Sequence, residues 1–151
     1  MIMKVVLDTN ILVGACLGSY HANRLIKACL KGEFIPIIGV VLLAEYEDVL
    51  ARDDIFAKSK LSLDERNEIL NALLSICEWV RIFYLWRPNL KDEGDNHLIE
   101  LAVAGNANII VSHNQKDFRQ NELNFGIQIL TPEQLLQLRS YNDDINTSSQ
   151  Q

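Results

Sequence analysis

The chain reads as an α/β protein on a largely parallel sheet, and three observations predict this. Short β-branched runs alternate with helical patterns from end to end, the sequence signature of βα units. The 151 residues, 48% hydrophobic and 23% charged, suit one domain with a sizeable core, and no linker divides them. An aspartate closes the first β-branched run, and ligand sites in open parallel sheets form at the C-terminal ends of strands.

The elements follow in order. "KVVLD" is the first strand, and "YHANRLIKACLKG" a helix with Ala22, Leu25, Ile26, Cys29 and Leu30 on one face and Gly32 as its stop. "FIPII" is the second strand, and "VVLLAEYEDVLAR" the next amphipathic helix. "LDERNEILNALLSICEW" follows as a helix with Ser62 as N-cap and Glu65 three residues on, the capping-box spacing. "WVRIFYL" is the third strand, and a helix beginning near Gly94 carries Leu98, Ile99, Ala102 and Val103 on one face, with Asp92 placed to cap it. "ANIIVS" and "IQILT" are the fourth and fifth strands. "TPEQLLQLRS" is a last helix, with Thr131 as cap and Pro132 at its first position. The folded domain is therefore 1–139. Residues 140–151 are polar, with only Ile145 as a large apolar residue beyond Tyr141, and are expected to be disordered or to await a partner.

Composition excludes several classes. A net charge of -6 rules out a broad basic footprint for nucleic acid and leaves such binding to local clusters. Arg24, Lys27 and Lys31 form one such stripe, opposite the apolar face of their helix; it reads first as a solvated face and second as an RNA backbone contact. The three cysteines, Cys16, Cys29 and Cys77, show no C-x-x-C spacing and read as buried thiols in a reducing compartment. "MIMKVVLD" is not a signal peptide, and the longest apolar run, "IPIIGVVLLA", is ten residues broken by Pro36 and Gly39. The expectation is a cytoplasmic protein with no membrane association.

The acids carry the functional signal. Asp8 stands in "KVVLDTNILV", where a carboxylate interrupts the most hydrophobic opening of the chain. Removing that charge from water costs several kcal/mol unless donors or a cation replace the solvent. The simpler reading of "DTN" is a helix N-cap and turn. Glu45 stands four residues after Val41 and four before Val49, along an apolar stripe, where it is either functional or an edge residue reaching water. Asp95 heads the stripe of its own helix, three and four residues ahead of Leu98 and Ile99. Two carboxylates about 4 Å apart repel by roughly 4 kcal/mol at an effective dielectric of 20, so such a cluster persists only by sharing protons or binding cations. All-oxygen ligands favour Mg²⁺ or Mn²⁺ over zinc. His21, His97 and His113 share no motif spacing and read as solvated polar positions.

"VVLDTNILV", Glu45 and "DEGDNHLIELAVAGNANIIVSHNQKDF" together resemble a PIN domain over roughly residues 2–138. The resemblance implies a three-layer α/β/α fold with about five mostly parallel strands. It also implies a Mg²⁺- or Mn²⁺-dependent endoribonuclease of the small prokaryotic kind, with RNA as substrate, an antitoxin protein as partner and a homodimeric assembly. Carried over residue by residue, it makes Asp8, Glu45 and Asp95 the catalytic and metal-binding acids, with Thr9 or Asn10 supporting the first and Asp92 a further supporting candidate. Many members place another Asp in a "V-T-x-D" segment; here that segment is "VSHNQKDF", with Ser112 for the usual Thr and Asn114 for the acid. Asn114 can offer a carbonyl oxygen but no charge, and Asp117 is the candidate substitute as fourth metal ligand. The departure keeps a second reading open, a non-catalytic PIN-like module that binds RNA or protein. A phosphatase with Asp8 as phosphoryl acceptor is weaker, because the second Asp such enzymes carry is Asn10 here, and dinucleotide binding lacks any G-x-G-x-x-G.

Overall fold

The computed structural model describes residues 2–82, 96–115 and 126–149, the backbone alone for 96 and 141–149. The order is β1 (Met3–Leu7), α1 (Thr9–Cys16), α2 (Tyr20–Leu30), β2 (Phe34–Ile38), α3 (Val40–Leu50), α4 (Leu63–Leu74), β3 (Glu78–Trp79), α5 (Asn96–Ala104), β4 (Ile109–Val111), β5 (Gln128–Leu130) and α6 (Pro132–Ser149). The five strands form one parallel sheet in the order β3-β2-β1-β4-β5. This is the α/β class that the alternation of patterns predicts.

The strand order places the site. From β1 the chain goes to β2 and β3 on one side, then returns to β4 and β5 on the other. Such a reversal opens a crevice above the C-terminal ends of the two strands that flank it, because the connections leave them in opposite directions. Leu7 pairs with Val111 at that end, so Asp8 and Ser112 emerge side by side.

Local chemistry explains most element ends. The Ser62 side chain accepts from the Glu65 N–H while the Glu65 carboxylate accepts from the Ser62 N–H, so the expected capping box is formed. Thr131 and Gln134 form a second reciprocal pair at the start of α6. Gly32, at φ +82, ends α2: its N–H donates to Cys29 O and that of Glu33 to Ala28 O, the paired bonds of a Schellman turn. Asn106 at φ 58 ends α5 with the same two bonds, to Val103 O and, through Ala107, to Ala102 O.

Four elements depart from the sequence expectation, the first being α1 (Thr9–Cys16), where the sequence suggested no more than a cap and turn after β1. β3 covers Glu78–Trp79, whereas the third strand was expected from Trp79 onward. Only Ile37 and Ile38 of β2 pair with it, because Gly39 already caps α3, and the Val80 N–H adds one more bond to Ile38 O. Residues 83–85 of the expected strand lie outside the described residues. Leu30 is 43% exposed at the end of α2, and Ala28 is buried instead. The backbone of α6 continues to Ser149, through most of the segment expected to be disordered; from Pro132 onward no Gly or Pro stops it. Among the described residues, no helix is long and apolar enough to cross a membrane.

The core joins Val5, Val6 and Leu7 of β1 to Ile109, Ile110 and Val111 of β4, and is closed by Tyr46, Phe34, Leu98 and Leu101. Arg66 of α4 is buried within this scaffold at 3% exposure. It donates to Leu50 O (3.0 Å) and to Asp53 (2.9 Å), and its guanidinium lies 4.4 Å from the Phe56 ring centre. One side chain thus pins the turns that connect α3 to α4. Arg66→Met should lower stability by about 2–3 kcal/mol, because a charge-assisted bond is lost and a buried carbonyl is left without its donor. Asp53→Asn should cost at most about 1 kcal/mol, since the Asp53 side chain is 87% exposed. Urea denaturation of both variants checks the difference; equal losses would mean that the ion pair, not the carbonyl bond, holds the turns.

Candidate active site

Asp8 is both the N-cap of α1 and the centre of a polar network. Oδ1 accepts from the Thr9 N–H (2.7 Å) and more weakly from the Thr9 hydroxyl (3.3 Å). Oδ2 accepts from the Ser112 hydroxyl (2.8 Å) and from Asn10 Nδ2 (3.4 Å). The capping and functional readings of "DTN" therefore describe one carboxylate.

Ser112, fully buried at the end of β4, is the hub. Its hydroxyl donates to Asp8 and accepts from Asn10 Nδ2 and from the Asn114 N–H, both at 3.1 Å. Asn10 Oδ1 in turn accepts from the His113 N–H (3.2 Å). The loop after β4 is thereby tied to the first turn of α1. His113 Nε2 also lies where a Cβ on Gly14 of α1 would be 3.1 Å away, so its ring rests over that glycine. Asn114 itself is exposed, and it enters the network through its backbone.

Tyr46 links α3 to the same place. It is 2% exposed, and its hydroxyl donates to Leu7 O (2.5 Å), the carbonyl just before Asp8. Burial holds its phenol well above the usual value, and Cys77, Asp8, Cys29 and Glu45 add to the shift. Both carboxylates therefore act on one buried ring. Glu45 lies on the flank of the apolar stripe: Leu42, Tyr46 and Leu50 are its buried line, and Val41, Glu45 and Val49 are half-buried beside them.

His97 corrects the sequence reading. Expected to be solvated, its side chain is only 12% exposed, and Nε2 lies 2.9 Å from Glu45 Oε1. The available signal was its place one turn before the fully buried Leu101. His21 is half-exposed and His113 exposed, as expected. Asp92, Asp95 and Asp117 lie outside the described residues, Asp95 immediately before α5. Thr9, Asn10 and Ser112 meet Asp8, the Asn114 backbone reaches it through Ser112, and Glu45 is the residue before Tyr46, which bonds the carbonyl preceding Asp8.

The donor set suits a hard divalent cation. Among the described residues, neutral N–H and O–H groups surround Asp8 and no Lys or Arg pairs with it. Carboxylate oxygens of Asp8 and Glu45 are the ligands that Mg²⁺ or Mn²⁺ prefers. No three His, Cys, Asp or Glu side chains among the described residues converge as a complete site.

A family model of the PIN domain matches residues 4–116. The chain belongs to the PIN domain family. The match runs from β1 through β4. No curated protein sequence matches it significantly. Among solved structures, this PIN domain is similar to a chain in the crystal structure of VapBC2 from Rickettsia felis bound to a DNA fragment from their promoter. The TM-score is 0.53 at 20% identity, covering 84% of this chain and 98% of that one, a likeness of fold.

Two stability measurements test this network. Ser112→Ala should cost about 1–3 kcal/mol, because it removes a donor to Asp8 and strips two donors of their acceptor; a loss below about 0.5 kcal/mol would show that water replaces the hydroxyl. At alkaline pH the buried acids set the trend. Burial pushes the Cys77 thiol up to about 12, and burial together with Cys77 and Glu33 does the same for Cys29. Their folded values lie above their unfolded ones, so this stabilisation is complete below about pH 9 and is lost as pH rises towards 12. Tyr46 adds a further loss above pH 10 by the same sign. Urea midpoints between pH 7 and 11 should therefore fall, with a shallower fall above pH 10 in Tyr46→Phe.

Proposed function

We propose that this PIN domain is a Mg²⁺- or Mn²⁺-dependent endoribonuclease and the toxin of a toxin-antitoxin pair. The observation that carries the reading is Asp8, an acid fixed at the sheet's switch point by neutral donors, with Tyr46 of the helix that bears Glu45 bonded to the carbonyl just before it. Asp8, Glu45 and Asp95 would hold the cation, which when bound supplies a water of lowered pKa and offsets charge on the scissile phosphate. The chain's own part is positional. Thr9 and Ser112 fix the Asp8 carboxylate, Asn10 couples it to the loop after β4, and Tyr46 locks α3 against the end of β1. A carboxylate of the trio that is not spent on the cation can take the proton from the attacking water.

An antitoxin partner is supported by the family and by the likeness to VapBC2, which was solved bound to a DNA fragment from its promoter. An antitoxin protein, a homodimer and action on cytoplasmic RNA are parts of the same proposal, with residues 1–139 as the nuclease unit and Asp92 as the cap of the segment that carries Asp95. A non-catalytic RNA- or protein-binding module is the rival, and Asn114 favours it, since a neutral side chain stands where many members carry an acid.

Isosteric loss of charge separates the two. Asp8→Asn and Asp95→Asn should each lower RNA cleavage at least about 100-fold, more than the 10–100-fold typical when a residue that only supports a ligand is changed. Cleavage at the wild-type rate in either variant would refute the assignment. Mn²⁺ at roughly a hundred times its Kd should stabilise the wild-type fold by about 2.7 kcal/mol and leave Asp8→Asn unmoved.

The fourth position has its own test. If Asn114 simply lacks its acid, Asn114→Asp should tighten Mn²⁺ binding while Asp117→Asn changes nothing. Loss of cleavage in Asp117→Asn would instead make Asp117 the ligand. No effect of either substitution would put the "SHNQKD" loop outside the metal site.

A further inference from the structure

We infer that His97 is a positioning residue that orients the Glu45 carboxylate for the cation. The inference rests on the metal-site reading proposed above and goes beyond it, because it adds a residue that is not one of the acids. Glu45 stands on the half-buried flank of α3, its side chain 40% exposed. A glutamate there has three side-chain torsions to fix, and an ordered ligand needs something to hold them. His97, on the first turn of α5, is one partner that does so: Nε2 meets Oε1 at 2.9 Å.

The geometry makes this more than a surface contact. The His97 side chain is 12% exposed, so the ring is packed and its Nε2 has little freedom to move away. α3 and α5 pack against each other, and α5 also packs on β1 and β4, the strands that end at Asp8 and Ser112. The close approach of Nε2 restrains Oε1 and with it the direction of the other carboxylate oxygen. His97 also sits two residues after Asp95, so one short segment carries a proposed ligand and the residue that steers another. Ligating carboxylates commonly have an outer polar partner of this kind, and its loss typically weakens metal binding about 10–100-fold.

The test is a double-mutant cycle on Mn²⁺ affinity, measured by calorimetry on the full chain, with the thermal midpoint without metal confirming that each variant folds. His97→Phe should weaken Mn²⁺ binding about 10–100-fold, and His97→Gln, which retains an N–H donor, should recover much of the loss. In a Glu45→Ala background, His97→Phe should have no further effect, because a residue that acts through Glu45 has nothing left to position. An equal loss in both backgrounds would overturn the inference and make His97 a general packing residue or a direct ligand; unchanged affinity in His97→Phe would overturn it as well. Saturable Mn²⁺ binding by the wild type that is lost in Asp8→Asn would leave the metal-site reading standing through either result. Absence of such binding in the wild type would overturn both.

Discussion

The end of β1 holds a half-buried aspartate beside the fully buried Ser112 at the end of β4. Burial of an ion costs several kcal/mol unless polar groups take the place of water, and here one backbone N–H, two hydroxyls and an amide do so. That constraint fixes much of the surrounding structure. It requires β1 and β4 to be neighbours, sets Ser112 one residue past their last paired position, and starts α1 at Thr9 so that its first N–H groups point at the carboxylate.

The same centre is closed from a second direction. Tyr46 buries a large ring against the sheet while its hydroxyl satisfies the Leu7 carbonyl, so packing and hydrogen bonding both hold α3 at one height over β1. Glu45, the residue before it, is carried along to the rim of the crevice. His97 then joins α3 to α5.

An acidic protein with a nucleic-acid substrate is consistent with this arrangement. The net charge of -6 repels phosphate at long range, and a divalent cation held by the proposed acids would reverse the sign locally. On the proposed reading, affinity for RNA comes from that cation and from small basic clusters such as Arg24, Lys27 and Lys31, all exposed on α2.

The sequence by itself determined the elements and the acids. The 3.6-residue stripes of α2 and α4, the Ser62 and Thr131 caps, the stop at Gly32 and the strand character of "KVVLD" and "ANIIVS" all depend on interactions within one or two turns, and these are legible in a short window. Asp8 was legible for the same reason: a charge in an apolar run contradicts its surroundings wherever the chain folds. Glu45 could be read only as lying along a stripe, because its half-buried flank position depends on what packs beside α3. Tertiary structure alone decided the rest. The order β3-β2-β1-β4-β5 brings Ser112 to Asp8 across 104 positions, trims β3 to two residues, buries the Arg66 guanidinium under the α3–α4 turns and turns His97 from a surface histidine into the partner of Glu45. Each of these depends on which surfaces meet once the sheet has assembled, and no local preference of the residues involved encodes that meeting.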